Sequence, residues 1–214
     1  MLKMKIIAIN GSPRKKGNTA RLLEEALRGA LNTGTDTEML HLADYSFGGC
    51  LGCEGCQDTF TCTIPDDMRK IYPKITEADG LILGSPTYFY NITALTKAFL
   101  ERCYCLESFD QRDRSRWASI LEAGGVRYAS VIAVCEQHSA EDMGLTVPAM
   151  TKPLESLGYR IVDEVRAVGF FDAGRVANDP SVLEEARSAG KRLAGTVMLK
   201  SKIAKTLTSK KSDK

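Results

Sequence analysis

The chain alternates short runs that are apolar throughout with longer stretches whose apolar positions fall three or four residues apart. Residues 5–10 (K-I-I-A-I-N) are β-branched and stop at Gly11, which reads as a strand buried on both faces. Residues 19–31 set Leu22, Leu23, Ala26, Leu27 and Leu31 along one side of a helix. A second strand is predicted over 35–42. A long Gly- and Cys-rich stretch follows at 43–65, and then a helix through 77. Asp66 and Asp67 suit the start of that helix, and Pro73 should kink or shorten it. Strands predicted at 80–84, 129–135 and 160–168 alternate with helices over 91–106, 147–157 and 180–199. Pro148 and Pro153 limit the second of those helices. The Lys-, Ser- and Thr-rich tail 200–214 reads as a solvated charge run that frays beyond Thr206.

Five strands alternating with helices predict an α/β fold, a parallel sheet with helices on both faces. Ligands of such sheets sit at the carboxyl ends of the strands, where strand order reverses. The loops after Asn10, Gly84 and Cys135 are therefore the ones to inspect. The predicted organisation is one domain over 1–199, containing the cysteine loop 43–65, and a flexible basic tail over 200–214.

Composition narrows the class. The chain has 214 residues, 43% of them apolar, enough for one well-filled core. Its 29 basic and 27 acidic residues nearly balance, which gives no reason to expect nucleic acid as a partner. No apolar run approaches the ~18 residues of a membrane span. The first residues, M-L-K-M-K, lack the pattern of a signal peptide. A cytoplasmic location is expected. There, four closely spaced cysteines among seven suggest metal ligands or redox thiols, not a disulfide scaffold.

The loop after the first strand reads N-G-S-P-R-K-K-G-N-T, from Asn10 to Thr19. It suits a phosphate monoester. Backbone N–H groups at a helix start bind anions. Ser12, Asn18 and Thr19 add donors, and Arg14 can pair with phosphate oxygens. The triphosphate-binding loop is excluded because Asn18 stands where its lysine would be. The three-glycine dinucleotide fingerprint is absent too.

This loop, with the block A-D-G-L-I-L-G-S-P-T-Y from Ala78 to Tyr88 and then Lys97 and Phe99, resembles the NADPH-dependent FMN reductase family. The resemblance spans about residues 4–102. It implies a flavodoxin-like three-layer sandwich with strand order 2-1-3-4-5, and FMN as cofactor. It further implies flavin-ring contacts at Pro86, Thr87, Tyr88, Phe89 and Asn91. Tyr88, Phe89 and Tyr90 offer an aromatic wall, and N–H groups from Thr87 to Asn91 offer donors for the ring's polar edge. At least one of the three aromatics is expected to be core.

Cys50, Cys53, Cys56 and Cys62 follow an x2-x2-x5 spacing with glycines between them. Four thiolates can hold a 4Fe–4S cluster or a zinc ion, or stay free as redox thiols. The x2-x2 spacing is nearer ferredoxin ligation than zinc ribbons, but the last gap of five is not ferredoxin's. The string resembles the compact motif of the iron–sulfur flavoproteins, a subgroup of the same family. That resemblance implies the four cysteines ligate 4Fe–4S between strand 2 and the next helix. Strand 2 should lie at the sheet edge, away from the flavin crevice. Cys103, Cys105 and Cys135 read as packing residues and His41 as structural; His138, on the functional rim, reads as a surface histidine, with protonating or binding a substrate as the alternative.

The functional expectation is an electron-transfer oxidoreductase holding FMN and 4Fe–4S. It would pass electrons from a reduced carrier such as ferredoxin to a small acceptor: oxygen, peroxide or a quinone. Family resemblance implies a homodimer or homotetramer. Two alternatives stay open: an NAD(P)H-dependent FMN or quinone reductase without a cluster, and a non-enzymatic electron carrier or zinc-stabilised binding module.

Overall fold

The computed structural model describes residues 4–212. In chain order the elements are β1 (Lys5–Asn10), α1 (Asn18–Leu31), β2 (Asp36–His41), α2 (Met68–Glu77), β3 (Gly80–Pro86), α3 (Ala94–Arg102), β4 (Glu107–Phe109), β5 (Trp117–Ser119), β6 (Arg127–Val134), α4 (Thr146–Ser156), β7 (Tyr159–Ala167) and α5 (Pro180–Ser212). The main sheet has the order β2-β1-β3-β6-β7, with every neighbour parallel. This is the predicted five-strand order, and β2 is at the edge.

Both faces of the sheet are covered, so β1 is apolar at successive positions yet still alternates. Ile6 and Ala8 join one core with α1 and α5 residues such as Leu22, Leu23, Ala186 and Leu193. Ile7 and Ile9 join the other, with Ile71 of α2, Phe99 of α3 and Met150 of α4. From β1 the chain moves outward to β2 and returns to β3 on β1's other side, which makes the switch point. Asn10 pairs with Gly84 across it, so the loops after β1 and β3 start side by side.

Three features depart most from expectation. The helix predicted over 91–106 ends at Arg102, and Cys103–Leu106 forms a 3-10 turn. The antiparallel hairpin β4–β5 follows; its three-residue strands are too short for periodicity to announce. Helix α5 does not end near 199 but runs to Ser212, because 200–212 contains no Gly or Pro and includes good helix formers. Pro73 and Pro153 lie inside α2 and α4, which stay short at 10 and 11 residues. Among the described residues no helix is long and apolar enough to cross a membrane.

Candidate functional site

The β1 loop is built on Asn10, fully buried at the strand end. Its amide nitrogen donates to His41 Nδ1 at 3.0 Å, and its oxygen accepts the Ser12 N–H at 3.0 Å. His41 thus holds the Asn10 side chain at the ends of the two paired strands. Ser12 Oγ accepts the Arg14 N–H at 3.1 Å. Gly11 is required by close approach: a Cβ there would lie 1.9 Å from Thr96 Oγ1. Helix α1 starts after Gly17, and no side chain caps it. Its first N–H groups are left for an anion.

These residues form one end of a cleft of about 390 Å³, within the roughly 300–1,000 Å³ usual for small-molecule sites. Ser12, Arg14 and Thr19 line that end, and Pro86, Thr87, Tyr88 and Phe89 line the other. Asn18 is in the wall, but its side chain is already engaged. It donates to the carbonyls of Phe170 (3.3 Å) and Asp172 (2.9 Å) and accepts the Val176 N–H (3.1 Å). The predicted phosphate donor instead staples the segment after β7 to α1.

That segment was missed from sequence. Phe170 and Phe171 line the cleft beside Glu136 and Val134. Arg14 donates to the Phe171 carbonyl at 3.1 Å, with its guanidinium 5.5 Å from that ring's centre. The available signal was G-F-F-D directly after the fifth predicted strand, on the functional rim.

The loop after β3 departs further. None of its aromatics is core: Tyr88, Phe89 and Tyr90 are 46%, 98% and 60% exposed. Tyr88 and Asn91 exchange backbone hydrogen bonds at 2.7 and 3.1 Å. The two residues between them, Phe89 and Tyr90, have φ of 51° and 63°. This is a two-residue turn with both central residues left-handed, an arrangement that favours Gly or Asn. The Thr87, Tyr88 and Asn91 N–H groups are spent on backbone carbonyls, which leaves those of Phe89 and Tyr90 among the described hydrogen bonds. Asn91 lies outside the cleft wall; its Oδ1 accepts the N–H of Ile92 at 2.8 Å.

The four clustered cysteines line a second cavity, with Arg102, Tyr104 and Cys105. Cys56 and Cys62 are buried; Cys50 and Cys53 are exposed. Donors point at sulfur. The Gly52 N–H is 3.4 Å from Cys50 Sγ, and Arg102 Nη2 is 3.2 Å from Cys62 Sγ. The Gly55 N–H and the Thr63 hydroxyl hold the Cys53 thiol below its usual range, while burial pushes Cys56 up. Burial also raises the Asp66 carboxyl, but the Arg102 guanidinium outweighs it and holds it low. Arg102 Nε is buried without a partner. Among the described residues no three His, Cys, Asp or Glu side chains converge as a set for one metal ion. The fit to a sulfur-bound group rests on the four thiols sharing one cavity, the donors toward them and the orphaned Nε.

Cys103 and Cys105 are buried in the turn after α3, as packing residues should be. Burial pushes the Cys105 thiol up to about 11. The hairpin β4–β5 braces the cysteine loop: Arg114 pairs with Glu54 at 2.7 and 2.9 Å and with Tyr104 Oη at 2.8 Å. Helix α3 links the two sites. At its start, the Thr93 hydroxyl donates to the Gly11 carbonyl at 2.7 Å. At its end stands Arg102.

A parallel sheet with a glycine-bounded loop at a helix start and an aromatic loop side by side at its switch point defines a flavodoxin-like protein with a cleft of small-molecule size there. The chain belongs to the NADPH-dependent FMN reductase family, whose profile matches residues 4–150, and to its iron–sulfur flavoprotein branch. It is 34% identical over 203 residues to an iron–sulfur flavoprotein of Methanocaldococcus jannaschii, covering 92% of this chain and 98% of that one. It is also 34% identical to an iron–sulfur flavoprotein of Archaeoglobus fulgidus, over 82% of each chain. Among solved structures, a flavone reductase superposes with a TM-score of 0.70 at 16% identity, covering 91% of this chain and 63% of that one. That likeness supports the fold alone.

Proposed function

We propose that the chain is an oxidoreductase holding FMN in the cleft and a 4Fe–4S cluster on Cys50, Cys53, Cys56 and Cys62. It passes electrons from a reduced carrier of the ferredoxin kind, or from NAD(P)H, to a small acceptor such as oxygen, peroxide or a quinone. The observation that carries this reading is α3: one end buttresses the β1 loop, and the other holds the cysteine segment.

In this reading Ser12, Arg14, Thr19 and the start of α1 bind the phosphate. Pro86, Thr87, Tyr88 and Phe89 line the ring, and the Phe89 and Tyr90 N–H groups meet its polar edge. Phe170 and Phe171 shield the cleft from water. At the other end, Arg102 and the Gly52 N–H donate to ligand sulfurs, and hydrogen bonds to sulfur tune a cluster's potential. A flavin exchanges one or two electrons and a cluster exchanges one, so the pair supplies a junction between the two kinds of transfer. The protein's own work is to bind, orient and shield.

Anaerobic purification tests the assignment. Flavin bands, a broad iron–sulfur shoulder and roughly four irons per chain are expected. Flavin without iron refutes the cluster and leaves the plain reductase. A colourless zinc protein refutes both. Bleaching by NADPH but not by reduced ferredoxin makes the nucleotide the donor.

A further inference from the structure

Helix α5 outlasts the fold that it covers. It has 33 residues, against 14 in α1 and 9 in α3, and Val197 is its last buried side chain among the described residues. Val197, Lys200 and Ser201 border a cavity together with Met4, Asp79 and Arg127, which stand at or just before the starts of β1, β3 and β6. The helix therefore leaves the sheet at the amino ends of the strands, opposite the loops that form the cleft. Residues 202–207 are all exposed. Residues 200–212 carry the helix about 20 Å onward from that point.

This overhang is amphipathic. Leu199, Ile203 and Leu207 recur every four residues, so they share a face, and each is more than half exposed. Lys200 and Lys202 flank that face, and Lys205 lies on the other side. No acidic residue occurs between Glu185 and Asp213. On the covered part of the helix, Arg187 and Arg192 pair with Glu25 and Asp163 at 2.6 Å. Lys202 and Lys205 have no ion-pair partner among the described residues. The charge is local as well: positions 200–214 hold six lysines and one aspartate in a chain of net charge +2, so the remainder is net negative.

We propose that the end of α5 lies on a membrane surface rich in anionic lipid. Leu199, Ile203 and Leu207 enter the boundary of the acyl layer, and the lysines reach the headgroups with their stems laid along it. Among the described residues no helix can cross a bilayer, so this one rests in the surface plane. Two other occupants fit the charge and the placement less well. A second copy of this helix would set lysine against lysine. An electron carrier docked here would stand at the far end of the sheet from the cleft. The inference does not depend on what the cleft or the cysteines hold.

Co-sedimentation of the full chain, as isolated, with lipid vesicles tests this. Vesicles of phosphatidylcholine with about one-third phosphatidylglycerol should carry the protein down, and pure phosphatidylcholine should not. Raising sodium chloride from about 0.1 M to about 0.5 M should release it, because the added salt screens the lysines. Ile203→Gln with Leu207→Gln removes the apolar face and keeps good helix formers. Lys202→Glu with Lys205→Glu reverses the charge. Each pair should weaken partitioning at least tenfold, with thermal melts verifying that the variants fold. The proposal fails if the wild type stays in solution with the anionic vesicles, or if it binds pure phosphatidylcholine equally. It also fails if either double variant partitions as the wild type does. A changed sedimentation coefficient for Ile203→Gln with Leu207→Gln, at unchanged partitioning, overturns it in favour of a contact between copies. Displacement from the vesicles by polyglutamate, with equal polyglutamate binding by that variant, overturns it in favour of an acidic protein.

Discussion

Arg102 Nη2 lies 3.2 Å from the sulfur of Cys62, donated by a side chain that is almost wholly buried. The same guanidinium grips both oxygens of Asp66 and reaches the Gly48 carbonyl at 3.3 Å. One cation thus ties together the two ends of the cysteine segment and the end of α3. Arg102→Met should cost about 3 kcal/mol, because it strands Asp66 and removes the clasp. Thermal melts and iron analysis check this, and a variant with unchanged melting temperature and full iron refutes it.

The thiols should divide by role. Cys53→Ala is expected to abolish bound iron and leave flavin at one per chain. Cys105→Ala, which alters the same cavity wall without removing a proposed ligand, should keep its iron. Iron and flavin assays on the two purified variants decide this, and equal iron loss in both would count against the four-ligand assignment.

In the cleft, Arg14→Ala should weaken FMN binding about tenfold or more, since a hydrogen bond to a charged group is worth roughly 1.5–3 kcal/mol. Gly11→Ala should be worse, because its Cβ would collide with Thr96 Oγ1. Quenching of flavin fluorescence on titration into deflavinated protein gives both values.

Glu107 gives a pH signature. Its ordinary value of 4.5 is raised to about 7 by burial, so between those values the folded state binds more protons than the unfolded chain. Stability therefore falls as pH rises through that window, by about 3 kcal/mol. Glu107→Gln should flatten this slope. Melts of both proteins at pH 5 and pH 8 should converge at the acid end and separate at the alkaline end.

The Phe89 backbone should be strained in favour of the ligand. Its φ of 51° is unfavourable for a bulky residue, and its ring is almost fully exposed. Phe89→Asn should stabilise the flavin-free protein by about 0.5–1 kcal/mol, because Asn tolerates that conformation. It should also weaken flavin binding. Denaturant melts of the flavin-free protein and flavin titration measure the two effects, and a loss of stability would remove the strain argument.

The sheet was legible because β1, β3 and β6 are apolar at successive positions and end at Gly or turn residues. The phosphate loop was legible because its constraint is local: Gly11, Ser12 and Gly17 are needed where they stand. What sequence concealed depends on distant partners. Asn18 looks like a phosphate donor until the carbonyls of Phe170 and Asp172 come to occupy it. Tyr88, Phe89 and Tyr90 look like partial core until the turn's positive φ values swing them outward. The clasp between Arg102 and Asp66 spans 36 positions and has no periodic signature.

Helix α3 also acts as a fixed-length gauge. It has 9 residues, so Thr93 and Arg102 are about 13 Å apart and locked in rotational phase. Inserting one residue would turn Arg102 by about 100° and carry it off Cys62. Inserting four would nearly restore the phase but push the two ends about 6 Å further apart. The loops on either side can drift in length, whereas this helix cannot without uncoupling the spacing of the two sites it joins.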